Sequence, residues 1–551
     1  MLFKLKSQIG EKLFNKYGVS LVVEIPKKEG SDLAIPLFGL AKQKSMKIDL
    51  LANEVIESLK EIELIKEAYF DRGFLNINID EVKFSKLVLN EVLEKQEEYC
   101  SILTKDKTVV IDYSSPNIAK NFSVGHLRST VIGASLAKLY DKLGYHVVGV
   151  NHLGDWGTQF GKMIVAYELW GNEEELKENP IDYLQSLYVK FHEKTTEELE
   201  EKARTVFKML EEGNEEYLEL WGYFKKLSLV AFDKMYQLLN VSFDYYQGES
   251  FYNDKMDKVV NEIENKKIAK IDDGALIVEL ENMPPALIKR SDGATLYMTR
   301  DLAALLYRFE TFNFNKVLYV VGNEQKLHFE QLKLVSKLMG YNFDISHVNF
   351  GLILKDGKKM TTRGGNVVKL DDVINEAINL AYNQVKEKNP NLTNKEEVAK
   401  SVAVSAIIFN DLKQDRNLDI EFDLEEMLSF EGLTGPYLQY SSVRITSILK
   451  EFKLTEIRDY EIFKDELYFK LIKEIASFSE VLTRALKENG PHVISRYLLN
   501  LAATFNKFYA QHKINVSNDD LRSANLNLIY AVRTVINEGM RLLNMTILDE
   551  M

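Results

Sequence analysis

Thr108-Val109-Val110-Ile111-Asp112, then a polar loop, then a helical repeat, then His146-Val147-Val148-Gly149-Val150 is the stretch that decides the fold. Between the two apolar runs, Leu127, Val131, Leu136, Leu139 and Leu143 recur at helical spacing and predict a helix over residues 126–142. Gly144 stands where a residue of positive φ would end that helix. Strand, helix and strand in this order form a βαβ unit. Such units build parallel sheets with right-handed crossovers, whose carboxyl-terminal strand ends hold ligands. The predicted fold class is therefore α/β, with a doubly wound, Rossmann-like sheet.

Working outward, residues 151–161 make a glycine-rich loop, followed to about residue 240 by a charged, helix-favouring stretch. Sheet-like runs return at 275–280 and 316–321, the second feeding a helix over 324–339. Beyond Glu431 the pattern is almost wholly helical: Pro491 follows Asn489-Gly490 as a helix N1 proline would, and residues 493–509 alternate apolar and polar faces. Upstream, residues 1–100 read as a small α+β unit with helices over 2–17 and 50–65 and strands within 68–79 that turn at Gly73. A chain of 551 residues exceeds one hydrophobic core. The expected organisation is an N-terminal domain (1–100), a parallel-sheet domain (101–430) with a helical insertion around 162–250, and an all-α bundle (431–551).

With 46% hydrophobic and 28% charged residues, the composition is that of a globular protein and not of a disordered or membrane chain. Cys100 is the single cysteine, which excludes an intrachain disulfide framework and a cysteine-based zinc site. No apolar run approaches 18 residues, and the first ten residues alternate apolar with lysine, so a cytoplasmic location without membrane spanning is expected. The net charge of -13 gives no support for nucleic-acid binding by itself. Its excess is localised, however. Residues 171–220 hold six basic against fifteen acidic residues, whereas 431–551 hold fifteen of each.

Three places carry candidate chemistry. A helix N-terminus offers unpaired N–H groups and a partial positive charge, so the loop ending Gly125-His126 is a candidate phosphate site. Gly125 permits close approach there, and His126 can donate to a phosphate or ribose oxygen. As a bare dipeptide, Gly-His before a helix is more often an ordinary cap. The second place is Gly357-Lys358-Lys359-Met360-Thr361-Thr362-Arg363-Gly364-Gly365-Asn366, a glycine-bearing loop whose lysines suit charge moving onto a leaving pyrophosphate. Lysines in a turn are usually just solvated surface. The third is Tyr297-Met298-Thr299-Arg300-Asp301, where Tyr297 and Asp301 share a face if the segment is helical, as do many polar pairs.

Together these residues resemble a known family. Ser114-Ser115-Pro116-Asn117-Ile118-Ala119-Lys120 followed by Gly125-His126-Leu127-Arg128-Ser129 is similar to the signature of class I aminoacyl-tRNA synthetases in its arginyl form. One departure is plain: the family has His-x-Gly-His, and here Ser123 replaces the first histidine. Residues 359–364 resemble the family's Lys-Met-Ser-Lys-Ser loop, with Thr362 for the second lysine. Lys120, and after it Arg363, is the candidate for the missing charge. Residues 151–161, 431–440 and, more faintly, Gly73-Phe74-Leu75-Asn76 are also family-like, as is Asp292-Gly293-Ala294 ahead of Tyr297.

The resemblance implies an arginine–tRNA ligase. Arginine attacks the α-phosphate of ATP, arginyl-adenylate and pyrophosphate form, and the terminal ribose of the tRNA takes the arginyl group, with tRNA needed before activation. It implies that Ser123, Gly125, His126, Lys358, Lys359 and Met360 bind ATP, and that Lys120, His126, Lys359 and Arg363 serve catalysis. A guanidinium demands well-placed carboxylates. The implied arginine site is Tyr297 and Asp301 with Asp112, Ser114, Asn117, His152 and Gln325. Tyr437, Tyr440 and Met551 are implied to touch the anticodon loop, and the N-terminal domain the tRNA elbow. ATP as substrate with Mg2+, no zinc, and a monomer whose partners are tRNA, arginine and ATP complete the expectation. Two alternatives stand beside it: a non-catalytic tRNA-binding relative, favoured only by Ser123, and a nucleotidyltransferase of the same fold, which has no use for the helical C-terminal domain.

Overall fold

The computed structural model describes residues 1–26, 30–291, 297–360 and 368–551, leaving the side chain of Lys359 outside that description. Its centre is a five-stranded parallel sheet ordered Ile345–His347, Lys316–Tyr319, Lys107–Asp112, Tyr145–Asn151, Tyr245–Tyr246. The first of these five strands in chain order, Lys107–Asp112, thus lies between the second and the fourth. At such a reversal of order the connections diverge to opposite faces, which opens a ligand crevice beyond the strand ends. Asp112 is the last residue of that central strand, paired with Val150 on one side and Tyr319 on the other.

Alternation along the strand sends its side chains into two cores. Val109 and Ile111 join Leu127, Val131 and Leu136 of helix Val124–Lys142. Val110 instead packs with residues of helices Met256–Asn265, Tyr297–Phe312 and Lys326–Leu338. The helix expected from residue 126 begins at Val124 and is followed by Gly144 at φ 85°. The run expected to be sheet-like to residue 321 ends as a strand at Tyr319. The helix expected from residue 324 starts as a 3-10 turn, Asn323–Gln325, before Lys326.

Between the second and third strands, helices Gln159–Trp170, Glu173–Glu178, Pro180–Glu193, Glu197–Glu211 and Glu215–Leu238 form the insertion. Here the acidic excess has a local cause. Asn172, Thr196 and Asn214 accept hydrogen bonds from first-turn N–H groups, and glutamates fill those first turns, where the helix dipole favours negative charge.

An antiparallel meander, Ala269–Asp272, Ala275–Leu280, Met283–Lys289, follows, of which only the middle strand was expected. Pro284 and Pro285 disguise the third strand, and the ladder tolerates them because it is an edge. In the N-terminal unit the helix expected to reach residue 65 stops at Leu59. Ile65 starts a strand opposite Ile79, and Leu33–Pro36 completes a three-stranded sheet. Gly73 turns with φ 88°, and a Cβ there would lie 1.9 Å from the ring of Phe38.

The C-terminal bundle comprises Gly435–Glu451, Glu466–Glu488, His492–Gln511 and Asp519–Leu542. Pro491 caps its third helix, one place ahead of the expected N1 position. Helix Val124–Lys142 reaches this bundle with its far end. Lys142 Nζ lies 2.8 Å from Glu538 Oε1, with both side chains almost fully buried, and Arg541 donates to both oxygens of Glu538 at 2.7 and 2.8 Å. Ser135 Oγ donates to the Leu542 carbonyl at 2.8 Å. Among the described residues, no helix is long and apolar enough to cross a membrane.

Candidate active site

The loop after Asp112 folds back over the sheet end because its backbone and hydroxyls are tied down. Ser114 (φ 73°) donates its N–H to Ser129 Oγ at 2.9 Å, and its hydroxyl lies 2.9 Å from Tyr236 OH and accepts from Thr130 Oγ1 at 2.8 Å. The side chain of Ser114 is thereby spent on internal bonds. Asn117 pairs by its backbone with Gly154, and a Cβ on Gly154 would sit 1.9 Å from Asn117 Oδ1. The glycine-rich loop is a brace for the signature loop. Its Asp155 is fully buried, bonded by Lys225 at 2.6 Å and by the N–H and hydroxyl of Ser250 at 2.8 Å.

Ser123 ends this loop as the N-cap of helix Val124–Lys142, and it faces His126. Its N–H and Oγ lie 3.1 and 3.0 Å from His126 Nδ1. Two donors on Nδ1 make that nitrogen the acceptor and place the proton on Nε2. Burial, reinforced by the nearby Lys120, pushes the His126 pKa down to about 4. His126 is thus a neutral ring that presents an N–H donor at the helix N-terminus. Gly125 beside it is exposed, and a Cβ there would meet only Ser123 Oγ at an ordinary 3.5 Å. The packing of the protein itself therefore leaves room for a side chain at 125.

Two hollows flank this N-terminus. One, of about 600 Å3, lies between Lys120, Ser123 and His126, the insertion residues Gln185 and Tyr188, and Lys369. The other, of about 290 Å3, is lined by Gly125, Arg128, Gly322, Phe350 and Met360. The described residues on either side of the second loop reach both hollows: Met360 lines the smaller and Val368 the larger. Asp356 and Gly357, at φ 52° and 68°, turn a hairpin that pairs Ile353–Lys355 with Lys358–Lys359. On its far side the chain is stitched to the first loop: Val124 N–H donates to the Val368 carbonyl at 3.1 Å, and Leu370 N–H to that of Phe122 at 3.0 Å. Asp182 of the insertion then holds both strands, through Lys369 Nζ at 2.5 Å and Asn121 Nδ2 at 2.8 Å. Lys358 is exposed and Met360 half-buried. Arg363 and the side chain of Lys359, expected to serve catalysis and ATP binding, lie outside the described residues, as do Thr362, Asp292, Gly293 and Ala294.

Across the crevice sits a charged cluster. Arg308 is fully buried, its Nη1 2.8 Å from Asp112 Oδ2 and its Nη2 3.2 Å from His152 Nδ1. Burial works against the Arg308 charge, but Tyr252 and Asp112 outweigh it and hold the pKa well above its usual value. His152 stacks on Tyr252 at 5.4 Å, and burial lowers its pKa. Asp112 also accepts from Ser115 Oγ at 3.1 Å, so its carboxylate is already engaged on both oxygens. Asp301 lies on the same helix as Arg308, seven residues earlier, and its Oδ2 is 2.5 Å from His328 Nε2. Burial raises the Asp301 pKa, but the His328 hydrogen bond and charge outweigh it and hold the carboxylate below its ordinary value. Tyr297 stands 68% exposed at the start of that helix, and Gln325 is exposed in the 3-10 turn.

Of the residues expected to bind arginine, the structure brings Asp112, His152 and Asp301 into one cluster. Sequence reading missed two members of it. Arg308 follows Asp301 by two helical turns, and His328 follows Gln325 by three residues; both spacings are visible in the chain, but neither residue type singled itself out. In the bundle, Tyr440 and Met551 line one hollow of about 240 Å3 with Lys388 and Phe430. Tyr437 points elsewhere, its hydroxyl accepting from Asn506 Nδ2 at 2.9 Å.

Comparison with known proteins agrees along the whole chain. The family described as tRNA synthetases class I (R), catalytic domain, matches residues 88–424; the DALR anticodon binding domain matches 438–551; the arginyl tRNA synthetase N terminal domain matches 4–79. Arginine–tRNA ligase 1 of Bacillus cereus is 48% identical over 561 aligned positions, covering 99% of this chain and all of the relative. Arginine–tRNA ligase of Exiguobacterium sibiricum is 47% identical, covering 97% and 96%. Among solved structures, Thermus thermophilus arginyl-tRNA synthetase superposes with a TM-score of 0.87 at 25% identity, covering 100% of this chain and 99% of its own. The Plasmodium falciparum arginyl-tRNA synthetase does so with a TM-score of 0.83 at 26% identity.

Proposed function

The chain belongs to the class I arginyl-tRNA synthetases, and from that premise we propose how its residues divide the work of an arginine–tRNA ligase. The enzyme activates arginine with ATP and passes the arginyl group to tRNA. In this division the hollow at Gly125, Gly322 and Met360 takes the adenosine, and the N-terminus of helix Val124–Lys142 faces the phosphates. His126 donates from Nε2 to a phosphate oxygen without carrying charge, while Lys120, Lys358 and Lys359, with Arg363, answer the charge that develops on pyrophosphate. Because the nucleophile is the carboxylate of arginine itself, catalysis here is orientation and electrostatic stabilisation. Mg2+ enters with ATP, whose phosphates supply most of its oxygen ligands; Asp372, in the lining of the larger hollow, is a hard oxygen donor of the kind that ion takes.

Arginine is placed by the cluster beyond the central strand. Arg308 neutralises Asp112, and Asp301 keeps an oxygen for the guanidinium, with Tyr297 at the rim and Asn117 on the α-amino group. Ser114 contributes by holding the loop, and His152 and Gln325 border the pocket. Residues 1–100, 101–430 and 431–551 act as elbow-contacting, catalytic and anticodon-binding domains, in a cytoplasmic monomer, and Tyr440 with Met551 offers an unpaired base a stacking site more directly than Tyr437 does.

The observation that supports this arrangement most is the pair of backbone bonds between Phe122–Val124 and Val368–Leu370. They fasten the two nucleotide loops to one another. Exchange of labelled pyrophosphate into ATP tests it: exchange should require both tRNA and arginine. In Asp301→Asn, the KM for arginine should rise far more than that for ATP. A buried charge pair of this kind costs on the order of 2 to 5 kcal/mol to break. Equal effects on both substrates remove Asp301 from the arginine site.

A further inference from the structure

A carboxylate binds a guanidinium by two parallel hydrogen bonds only when its plane is fixed, and the terminal torsion of an aspartate is otherwise broad. The side chain of Asp301 is 26% exposed, which by itself leaves that torsion free to turn. His328 removes the freedom. It sits in the first turn of helix Lys326–Leu338, just past the crevice end of strand Lys316–Tyr319, with Nε2 2.5 Å from Asp301 Oδ2. A carboxylate only accepts, so Nε2 carries the proton.

The ring has its own scaffold. It stands edge-on to Phe329 at 5.3 Å, and Phe329 packs on Tyr319 at 4.8 Å and on His347 at 4.6 Å. Among the described residues, His328 makes the only hydrogen bond to the Asp301 side chain, and it engages Oδ2 alone. Asp112 is less suited to binding a guanidinium, because the buried Arg308 already offsets its charge and Ser115 donates to its other oxygen.

We infer that His328 is the positioning residue for Asp301, orienting its carboxylate for the side chain of arginine and thereby setting selectivity for a cationic substrate. This rests on the assignment of Asp301 to the arginine site. The test measures KM for arginine and for ATP in tRNA-dependent exchange. His328→Phe keeps the ring and loses the donor, and the KM for arginine should rise about tenfold or more, the range of a hydrogen bond to a charged group, with the KM for ATP unchanged. His328→Gln, whose amide nitrogen reaches the place of Nε2, should stay near the parent. In Asp301→Asn/His328→Phe, the KM for arginine should be no higher than in Asp301→Asn alone.

A normal arginine KM in His328→Phe, with a raised one in Asp301→Asn, overturns the role of His328 while Asp301 keeps its own. A rise in both KM values in His328→Phe and His328→Gln alike makes the residue merely structural and also overturns it. Asp301→Asn affecting both substrates equally removes both assignments. Should His328→Phe not fold, His328→Asn takes its place: its shorter amide stops at the position of Nδ1 and cannot reach Oδ2, so the same rise in arginine KM is expected and its absence counts against the inference.

Discussion

Replacing Ser123 by alanine and by histidine separates two accounts of the one position where the chain departs from its family's signature. If serine there serves the ATP phosphates, histidine restores a longer donor that can carry charge, and activation improves. The geometry gives a different answer. Ser123 is only 9% exposed, and its hydroxyl lies 3.0 Å from His126 Nδ1, so its partner is the second histidine of the signature and not the crevice. Ser123→Ala removes that bond while the backbone N–H at 3.1 Å remains, so the loss is one neutral hydrogen bond, about 0.5 to 1.5 kcal/mol. Exchange of pyrophosphate into ATP should therefore slow about twofold to twelvefold. Ser123→His loses the same bond and extends a ring into the hollow shared with Lys120, so it should be no faster than the alanine variant. The reasoning is refuted if Ser123→His exceeds the parent in exchange rate or lowers its KM for ATP, or if Ser123→Ala matches the parent in both.

Other expectations follow from single contacts. His126, held near pKa 4 by burial and Lys120, titrates near 6.5 when unfolded, so the unfolded chain takes up a proton that the folded one refuses and stability is lost as pH falls through that window. The urea midpoint of His126→Gln should accordingly fall less than the parent's between pH 7 and pH 4.5, and equal falls would contradict a neutral, buried ring. Lys142→Met strands the buried Glu538 with Arg541 as its remaining cation, and should cost about 3 kcal/mol in chemical denaturation, the lower end for breaking a buried pair. A change within error would show the pair to be dispensable. Gly154→Ala drives a methyl to within 1.9 Å of Asn117 Oδ1, so the KM for arginine should rise with little change in that for ATP; an unchanged arginine KM would remove Asn117 from the arginine site.

What the sequence disclosed depended on how local its cause was. The βαβ unit was legible because its apolar spacing, Gly144 and the two strand runs all lie within residues 108–150 and agree with one another. The strand at Met283–Lys289 was hidden by Pro284-Pro285, which read as a loop until the edge position of the strand is known. The helix ending at Leu59 was overextended because Lys60-Glu61-Ile62-Glu63 has helical composition, and only the pairing of Ile65 with Ile79, a long-range contact, converts the segment. In the site, motif residues were found and their partners were not. Arg308 and His328 act through contacts with Asp112 and Asp301 that span 196 and 27 residues, and no spacing rule announces such pairs. Ser123 shows the converse: its identity was noticed, but its target is visible only once the helix N-terminus turns it onto His126.

The helix Val124–Lys142 opens at the nucleotide loops and closes against the C-terminal bundle, where the almost solvent-free pair of Lys142 and Glu538 is capped by the exposed Arg541. That pair limits how the enzyme can be recombined. A chimera joined at the covalent linker near residue 430 inherits its bundle from one parent and its first catalytic helix from the other. Unless the residues at 142 and 538 come as a matched set, the junction breaks a buried ion pair at the foot of the helix that carries His126. The two domains are separable in sequence, but they have to be exchanged with this helix as common property.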